Sequence, residues 1–492
     1  MKIDLLRKPA EYMDTVIIMH GNKGDFQNIE YLPEHIKNAV GIVIKQDEFT
    51  FSYKNLKSFP LVHARHRSNI ILCGVGNTQD LDCARLRELF ALCIRAALKI
   101  DAREAFLYPG FSNPVGEVNF GHILAETALL TAYKFDKYLS ESKGHSLKAV
   151  HLAVNPKTTR HINRGILEGR IFAESTNMAR DLVNEPANVI YPDSLAEIAK
   201  KAALKYGFSI EVFGQDKLKR LKMEALMAVG KGSKQEPRLI LMSWNGNPEP
   251  KAKTIGLIGK GLTYDSGGYC IKTPQGMVNM KSDMAGAAAV IGTFAAIATL
   301  KLKVNVLGVI AACENMVSGA AYHAGDIIRS MSGKTIEVIN TDAEGRLTLI
   351  DAIHYAISRE HVSQVIDIAT LTGAAVGALG NQISAVLTNN EKMLGKLRLA
   401  SDFTGEMIWQ LPTHEPYLDL IKSEVADLKN SSGPMAGTIT AGLFIREFVD
   451  GKPWLHIDIA GTAHKDKESG INSYGATGVG VRLLTQLLRE ME

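Results

Sequence analysis

The stretch Asn340-Thr341-Asp342-Ala343-Glu344-Gly345-Arg346 lies between two segments of different period. Before it, Thr335-Ile336-Glu337-Val338-Ile339 alternates and is rich in β-branched residues, which predicts a strand running to Asn340. After it, Leu347, Ile350, Ile353 and Ile357 recur at spacings of three and four, which predicts a helix over 347–359. In an open α/β sheet, such a strand-to-helix turn presents ligand-binding groups beyond the carboxyl end of the strand. Two carboxylates and a guanidinium on so short a turn cannot all point away from one another. Taken alone, however, acidic turns and helix N-caps produce the same pattern.

Working outward, strands are predicted at 208–213, 238–244, 254–259, 304–313 and 364–369, with helices at 194–206, 217–225 and 284–300 between them. Alternation of this kind argues a twisted, mainly parallel sheet with helices on both faces. Earlier in the chain, strand-like runs at 15–19, 40–44, 69–73, 104–108 and 147–154 accompany a strong helix at 81–98. The chain is thus predicted to be α/β: a smaller N-terminal α/β domain (1–160), a long linking helix (161–183), and a larger C-terminal α/β domain (184–492) holding the mainly parallel sheet. Glycine-rich loops follow Thr370, notably Ser431-Ser432-Gly433-Pro434-Met435-Ala436-Gly437, and loops on a rigid scaffold commonly line a site.

At 492 residues there is ample chain for sizeable cores, and 46% hydrophobic with 22% charged residues is ordinary for a soluble globular protein. A net charge of +4 gives no case for nucleic-acid or membrane binding. Five cysteines without paired metal spacing read as reduced thiols. The start, Met1-Lys2-Ile3-Asp4, carries an early acidic residue and leads into no apolar run, against a targeting peptide. The run from Ala285 to Leu300 is too short to span a bilayer comfortably and reads as a buried helix. The expected location is the cytoplasm.

Three segments carry charge at predicted strand or helix ends: Gly259-Lys260-Gly261-Leu262-Thr263-Tyr264-Asp265-Ser266-Gly267-Gly268, Met280-Lys281-Ser282-Asp283-Met284, and the Asp342/Glu344/Arg346 turn, with Lys272 between the first two. Singly, Asp283 reads as an N-cap, Asp265 as a turn aspartate and the basic residues as surface charges. Gly259-Lys260 is no phosphate loop, because Gly261 stands where Ser or Thr is required. Together, Asp265, Asp283, Asp342 and Glu344 would repel strongly if buried unpaired. Two divalent cations would resolve that repulsion. An oxygen-rich set without His or Cys suits Mg²⁺ or Mn²⁺ and leaves Zn²⁺ open. Such a pair can activate a water and polarise a carbonyl, with Lys272 and Arg346 facing the developing negative charge.

These residues resemble the cytosol leucyl aminopeptidase family. Its N-T-D-A-E-G-R-L signature is intact at Asn340 to Leu347, its G-K-G-x-T-x-D-S-G-G element at Gly259 to Gly268, and its M-K-x-D-M-x-G-A element at Met280 to Ala287. The likeness runs from about residue 165 to the end, while the N-terminal part is similar only in size and α/β character. The resemblance implies a metallopeptidase domain over 184–492 in which Lys260, Asp265, Asp283 and Glu344 bind a tighter metal. Asp265, Asp342 and Glu344 would bind a second, so that Asp265 and Glu344 bridge. Mn²⁺ is expected first, with Zn²⁺ or Mg²⁺ as alternatives. It further implies catalytic roles for Lys272, against the substrate carbonyl, and for Arg346, holding a bicarbonate or orienting water. Met280, Thr370 and Gly373 would form the pocket for a leucine-like first side chain; Asn340, Asp342 and Leu371 would contact substrate backbone. Peptides are the implied substrates and a homohexamer the implied assembly, with a role in intracellular peptide turnover and an oligomer-supporting N-terminal domain. His323-Ala324, Thr348 and Ile350 depart from the family pattern without touching an expected ligand.

A second reading, a DNA-binding or recombination accessory role, would need a basic face on the N-terminal domain, for which Lys54, Lys57, Arg65, His66 and Arg67 offer a modest cluster.

Overall fold

The computed structural model describes residues 1–6, 10, 12–21, 29, 31–46, 49–63, 66–111, 113–141, 144, 146–249 and 252–492. The chain forms two compact units, Met1–Glu174 with Lys467–Ser473, and Ser175–Asp466 with Tyr474–Glu492. The long helix foreseen near 161–183 runs Thr159–Asn184, and the division between the units falls within it.

The first unit comprises β1 (Lys2–Leu6), β2 (Thr15–Gly21), α1 (Glu34–Lys45), β3 (Leu56–His63), β4 (His66–Gly76), α2 (Cys83–Lys99), β5 (Glu104–Gly110), α3 (Glu117–Thr131), β6 (Ala149–Ala153) and the start of α4 (Thr159–Asn184). Its sheet has the order β1-β6-β5-β2-β4-β3 and is parallel except for the β3–β4 hairpin. The strand expected at Val40-Gly41-Ile42-Val43-Ile44 is wrong: these residues lie in α1. Ile36 and Val40 are buried and Val43 and Ile44 pack beside them, a helical spacing that a window beginning at Val40 conceals. β1 and β3 were not foreseen, being short or half-buried edge strands.

The second unit opens with α5 (Pro192–Tyr206), β7 (Ser209–Phe213), α6 (Gln215–Leu221), α7 (Glu224–Gly230) and β8 (Arg238–Asn245). The predicted single helix at 217–225 is two, broken where Lys222 takes a left-handed φ of 58°. Then come β9 (Thr254–Asp265), α8 (Pro274–Met277), α9 (Ala285–Leu300), β10 (Asn305–Asn315), β11 (Ile327–Arg329), β12 (Thr335–Glu337), α10 (Gly345–Ser358), β13 (Gln364–Ala369) and α11 (Gly373–Leu379). The unit closes with β14 (Ser384–Thr388), α12 (Glu391–Thr404), β15 (Ile408–Gln410), β16 (Leu428–Lys429), α13 (Gly437–Arg446), β17 (Trp454–Asp458), β18 (His464–Lys465), β19 (Gly475–Ala476) and α14 (Val481–Glu490).

The main sheet has the order β15-β14-β17-β13-β9-β10-β8-β7, with a parallel centre of β17, β13, β9 and β10. Strand alternation sends its side chains to two cores. On β10, Val306, Ile310 and Ala312 join α5, α9, α12 and α14 on one face, while Leu307, Val309, Ala311 and Cys313 join α7, α10 and α13 on the other. Burial of side chains such as Leu347, Ile350 and Ile353 on α10, each worth about 1.5–3 kcal/mol, fixes that helix on the sheet. The Ala-rich α9 is buried as expected, and no described helix is long and apolar enough to cross a membrane.

Two expectations need correction. The strand before the acidic turn ends at Glu337 and belongs to a separate sheet, β11-β12-β16, so the turn does not cap a main-sheet strand. And β9 does not stop at Gly259 but runs through Lys260 to Asp265.

Candidate active site

Over the carboxyl ends of β9, β13 and β17 lies a cavity of about 410 Å³. It is lined by every residue singled out from sequence: Lys260, Asp265, Lys272, Asp283 and the Asn340, Asp342, Glu344 and Arg346 of the acidic turn, together with Met280, Thr370, Leu371 and Gly373. Asp265 ends β9, Asp283 follows the single 3₁₀ turn Met280–Ser282, and Glu344 precedes α10 with Arg346 in its first turn. Carboxylates at the amino ends of α9 and α10 also suit the helix dipoles.

Lys260 projects from inside β9 to 2.8 Å from Asp283 Oδ2 and 2.9 Å from Glu344 Oε1, and donates to Thr370 O at 2.9 Å. Gly345 is what lets it in: a Cβ there would lie 2.6 Å from Lys260 Cε. Lys272 bridges the other pair, 2.8 Å from Asp265 Oδ2 and 2.5 Å from Asp342 Oδ1. Burial alone would lower the pKa of both ammoniums, but the surrounding carboxylates raise both above the usual lysine value.

Two lysines do not balance four carboxylates. Glu344 is pushed up to about 8 by burial and by Asp265, and Asp283 to about 6, again by burial with Asp265 adding. Asp342 is raised by the same causes. Glu344 Oε2 is buried with no hydrogen-bond partner among the described residues, and Asp265, Asp342 and Glu344 each offer an oxygen within 4.8 Å of the others. A buried acidic set with surplus negative charge and an orphaned oxygen fits hard divalent cations. Arg346 is buried too: Nη1 donates to Asn430 O at 2.7 Å and Nε has no partner among the described residues, with burial lowering its pKa to about 10. A guanidinium so placed can receive a small anion.

Several supporting residues were given no positioning role in the sequence reading, although Asn315, Thr370 and Asp458 lie in segments (Glu314–Met316, Ala369–Gly373 and Asp458–Ala463) that share the family resemblance. Asn315, at the end of β10, donates to Asp265 Oδ1 at 2.8 Å and to Thr341 O at 3.0 Å. Thr370, foreseen as pocket lining, also donates from Oγ1 to Asp283 Oδ1 at 2.8 Å. Asp458, ending β17, accepts from Leu371 N and Thr372 Oγ1. Most telling is the fully buried Asn430. Its Oδ1 accepts from Ile339 N (2.8 Å) and Asn340 N (3.2 Å), and its Nδ2 donates to Asn340 O (2.7 Å) and Ala343 O (3.3 Å). With its own carbonyl on Arg346, this one asparagine holds both ends of the acidic turn. Its position just before the 431–437 loop was the one available signal.

Of the basic cluster on the first unit, Lys54 is 2.6 Å from Glu88, and Arg65 lies outside the described residues.

The family model described as "Cytosol aminopeptidase family, catalytic domain" matches residues 177–485, and that described as "Cytosol aminopeptidase family, N-terminal domain" matches 16–142. The N-terminal part, similar by eye only in size and class, is therefore matched in its own right. The "Probable cytosol aminopeptidase" of Clostridium perfringens is 47% identical, over 92% of this chain and 93% of its own. That of Alkaliphilus oremlandii is 44% identical over 100% of both. Among solved structures, "Bottromycin maturation enzyme BotP" superposes with a TM-score of 0.85 at 32% identity, covering 98% of this chain and 99% of that one. The structure titled "Bottromycin maturation enzyme BotP in complex with Mn" gives the same TM-score over 97% and 99%.

Proposed function

Since this chain belongs to the cytosol aminopeptidase family, and is accordingly a metal-dependent aminopeptidase, we propose that it releases leucine and other apolar N-terminal residues from peptides at the cavity described above. The observation that carries this reading is the charge imbalance there: four carboxylates against two ammoniums and the Arg346 guanidinium, with Glu344 Oε2 unpartnered among the described residues.

Lys260, Asp265, Asp283 and Glu344 would hold one divalent cation, and Asp265, Asp342 and Glu344 a second. Mn²⁺ is favoured because a similar structure is titled as a complex with Mn; Zn²⁺ and Mg²⁺ are the alternatives. When bound, such cations supply Lewis acidity and a water acidic enough to act as nucleophile near neutral pH. Lys272 lies between Asp265 and Asp342 at the mouth of the set, where its ammonium can face the scissile carbonyl oxygen as it gains negative charge. Arg346 offers its unspent Nε edge to an anion, bicarbonate being the candidate, which would accept the water's proton. Met280, Thr370 and Gly373 wall the space for the first side chain, where apolar burial of about 1.5–3 kcal/mol favours leucine. Asn340, Asp342 and Leu371 would contact the peptide backbone. A homohexamer, a cytoplasmic site of action and a role in peptide turnover complete the proposal. The alternative DNA-binding role finds no support in the comparisons with known proteins.

The test is hydrolysis of leucine amide and its N-acetylated form by EDTA-stripped protein, before and after Mn²⁺, Zn²⁺ or Mg²⁺. Metal-restored cleavage of the free-amine substrate alone is expected; equal cleavage of both, or cleavage with no metal, would overturn the reading.

A further inference from the structure

We infer that Asp458 is a positioning residue for the peptide substrate: through one buried chain of hydrogen bonds it joins three walls of the peptidase cavity and holds Leu371 where the substrate backbone meets it. Leu371 enters as a substrate contact only through the peptidase reading above; the hydrogen bonds do not depend on that reading.

The sheet itself stops short of the cavity. β13 ends at Ala369 and β17 at Asp458, which stand opposite each other as parallel neighbours. Ile459 N still donates to Ala369 O at 2.8 Å. Past that point both chains leave the sheet and become cavity wall: Leu371, Thr372 and Gly373 after β13, and Ala460 after β17. Gly437, where α13 begins behind the 431–437 loop, lines a third side. Backbone pairing no longer fixes these segments, so side chains must.

Asp458 meets all of them. It is 1% exposed, and a carboxylate so buried is costly unless donors reach it. Its Oδ1 accepts from Leu371 N at 3.1 Å and from Ala460 N at 3.0 Å, and its Oδ2 accepts from Thr372 Oγ1 at 2.7 Å. Thr372 Oγ1 also lies 2.7 Å from Thr438 Oγ1 and accepts from Ala375 N at 3.1 Å. A hydroxyl has one proton to give. Thr372 gives its own to the carboxylate, so the proton between the two threonines belongs to Thr438. The chain therefore has one direction, from Thr438 in α13 through Thr372 at the start of α11 to Asp458 at the end of β17. The two helix starts also pack directly, since a Cβ at Gly437 would lie 3.0 Å from that of Ala374.

Neither Asp458 nor Thr438 is among the residues lining the cavity, so both act through Leu371 and Thr372. A backbone contact held in this way serves the bound substrate and the transition state alike, and its loss belongs in KM rather than in kcat.

Steady-state hydrolysis of leucyl-glycyl-glycine by the Mn²⁺-loaded full-length chain tests this, with amide hydrogen exchange over residues 369–376 read on the same variants. Asp458→Ala should raise KM by about tenfold, with kcat changed by less than about threefold and the Mn²⁺ stoichiometry kept. Asp458→Asn retains an oxygen for the two amides and should recover most of the loss. Thr438→Val should raise KM by about threefold, whereas Thr438→Ser, which keeps the proton, should match the native chain. Exchange over 369–376 should quicken in Asp458→Ala and Thr438→Val and stay native in Thr438→Ser. A KM for Asp458→Ala within about twofold of native, a loss confined to kcat, or a Thr438→Val variant indistinguishable from Thr438→Ser would overturn the proposal. Failure of the native chain to cleave the tripeptide would instead sink the peptidase reading, and the role of Leu371 with it. If Asp458→Ala does not fold, Asp458→Asn and the two Thr438 variants decide.

Discussion

Replacing Asn430 with alanine removes four hydrogen bonds from the acidic turn without touching any expected metal ligand. The two short ones, to Ile339 N at 2.8 Å and Asn340 O at 2.7 Å, matter most. Orphaning both would cost about 2–6 kcal/mol at about 1–3 kcal/mol each if the groups stayed dry. Ile339 is 43% exposed, so water can reach this part of the turn, and a net loss of about 1–3 kcal/mol is expected. The larger consequence is positional. The turn carries Asp342 and Glu344, and Arg346 leans on the Asn430 carbonyl. A displacement near 1 Å at reacting groups costs about a hundredfold in rate. Asn430→Ala should therefore lose about tenfold to a hundredfold in kcat/KM, mostly in kcat, and bind Mn²⁺ more weakly by calorimetry, while melting only a few degrees lower. Asn430→Asp keeps the acceptor, loses both donors and adds charge beside Glu344, so it should be no better. An alanine variant with wild-type kcat and wild-type Mn²⁺ affinity would refute the reasoning.

Other expectations follow from the same geometry. Glu344→Ala should abolish both hydrolysis and binding of a second equivalent of metal; two metals bound per chain in that variant would end the bridging assignment. Lys272→Ala should lower kcat while metal content stays normal, and loss of metal instead would make the lysine structural. Gly345→Ala puts a methyl group against Lys260 Cε and Nζ, at 2.6 and 2.7 Å. Activity should fall steeply while the circular dichroism spectrum is kept, and full activity would show that the lysine can move aside. Deeper in the sheet, His456 Nδ1 is 2.5 Å from Asp367 Oδ1. Burial alone would lower its pKa, but Asp367 holds it above the usual histidine value. A raised folded-state pKa means the pair's stabilisation is complete below about pH 6.5 and is lost as pH rises through the folded value. Melting temperature should decline over that window, and Asp367→Asn should flatten the decline; an unchanged slope in the variant would discount the pair.

The parts of this molecule legible in sequence are those where chemistry and local period agree. The Gln364–Ala369 strand and the α9 and α10 helices stand where apolar spacing puts them, and the three charged motifs do meet in one cavity. Misreadings arose where a short window competed with a longer period, as at Val40–Ile44, or where a strand's sheet partner is remote in sequence. Nothing local in Thr335–Glu337 says that its neighbours are β11 and β16 rather than the main sheet. Nor does anything mark Lys260 as a strand residue, since a lysine inside a buried strand makes sense only once Asp283 and Glu344 are known to await it. The roles of Asn430 and Asn315 could not be read for a related reason: they act on backbone atoms and acidic side chains dozens of residues away.

The two lysines that span the carboxylates have a consequence for the order of events in the protein's life. Each stands between a pair of like charges, so the acidic set has internal counter-ions from the moment the sheet closes. The chain can then complete its fold in a metal-poor setting and hold the cavity open for later loading. Arrival of cations would then substitute for part of that positive charge, with Lys260 giving up its proton to become a ligand, rather than being a condition for folding. Metal scarcity would accordingly leave a reservoir of folded, inactive protein that recovers within the time of ion binding, with no need for new synthesis.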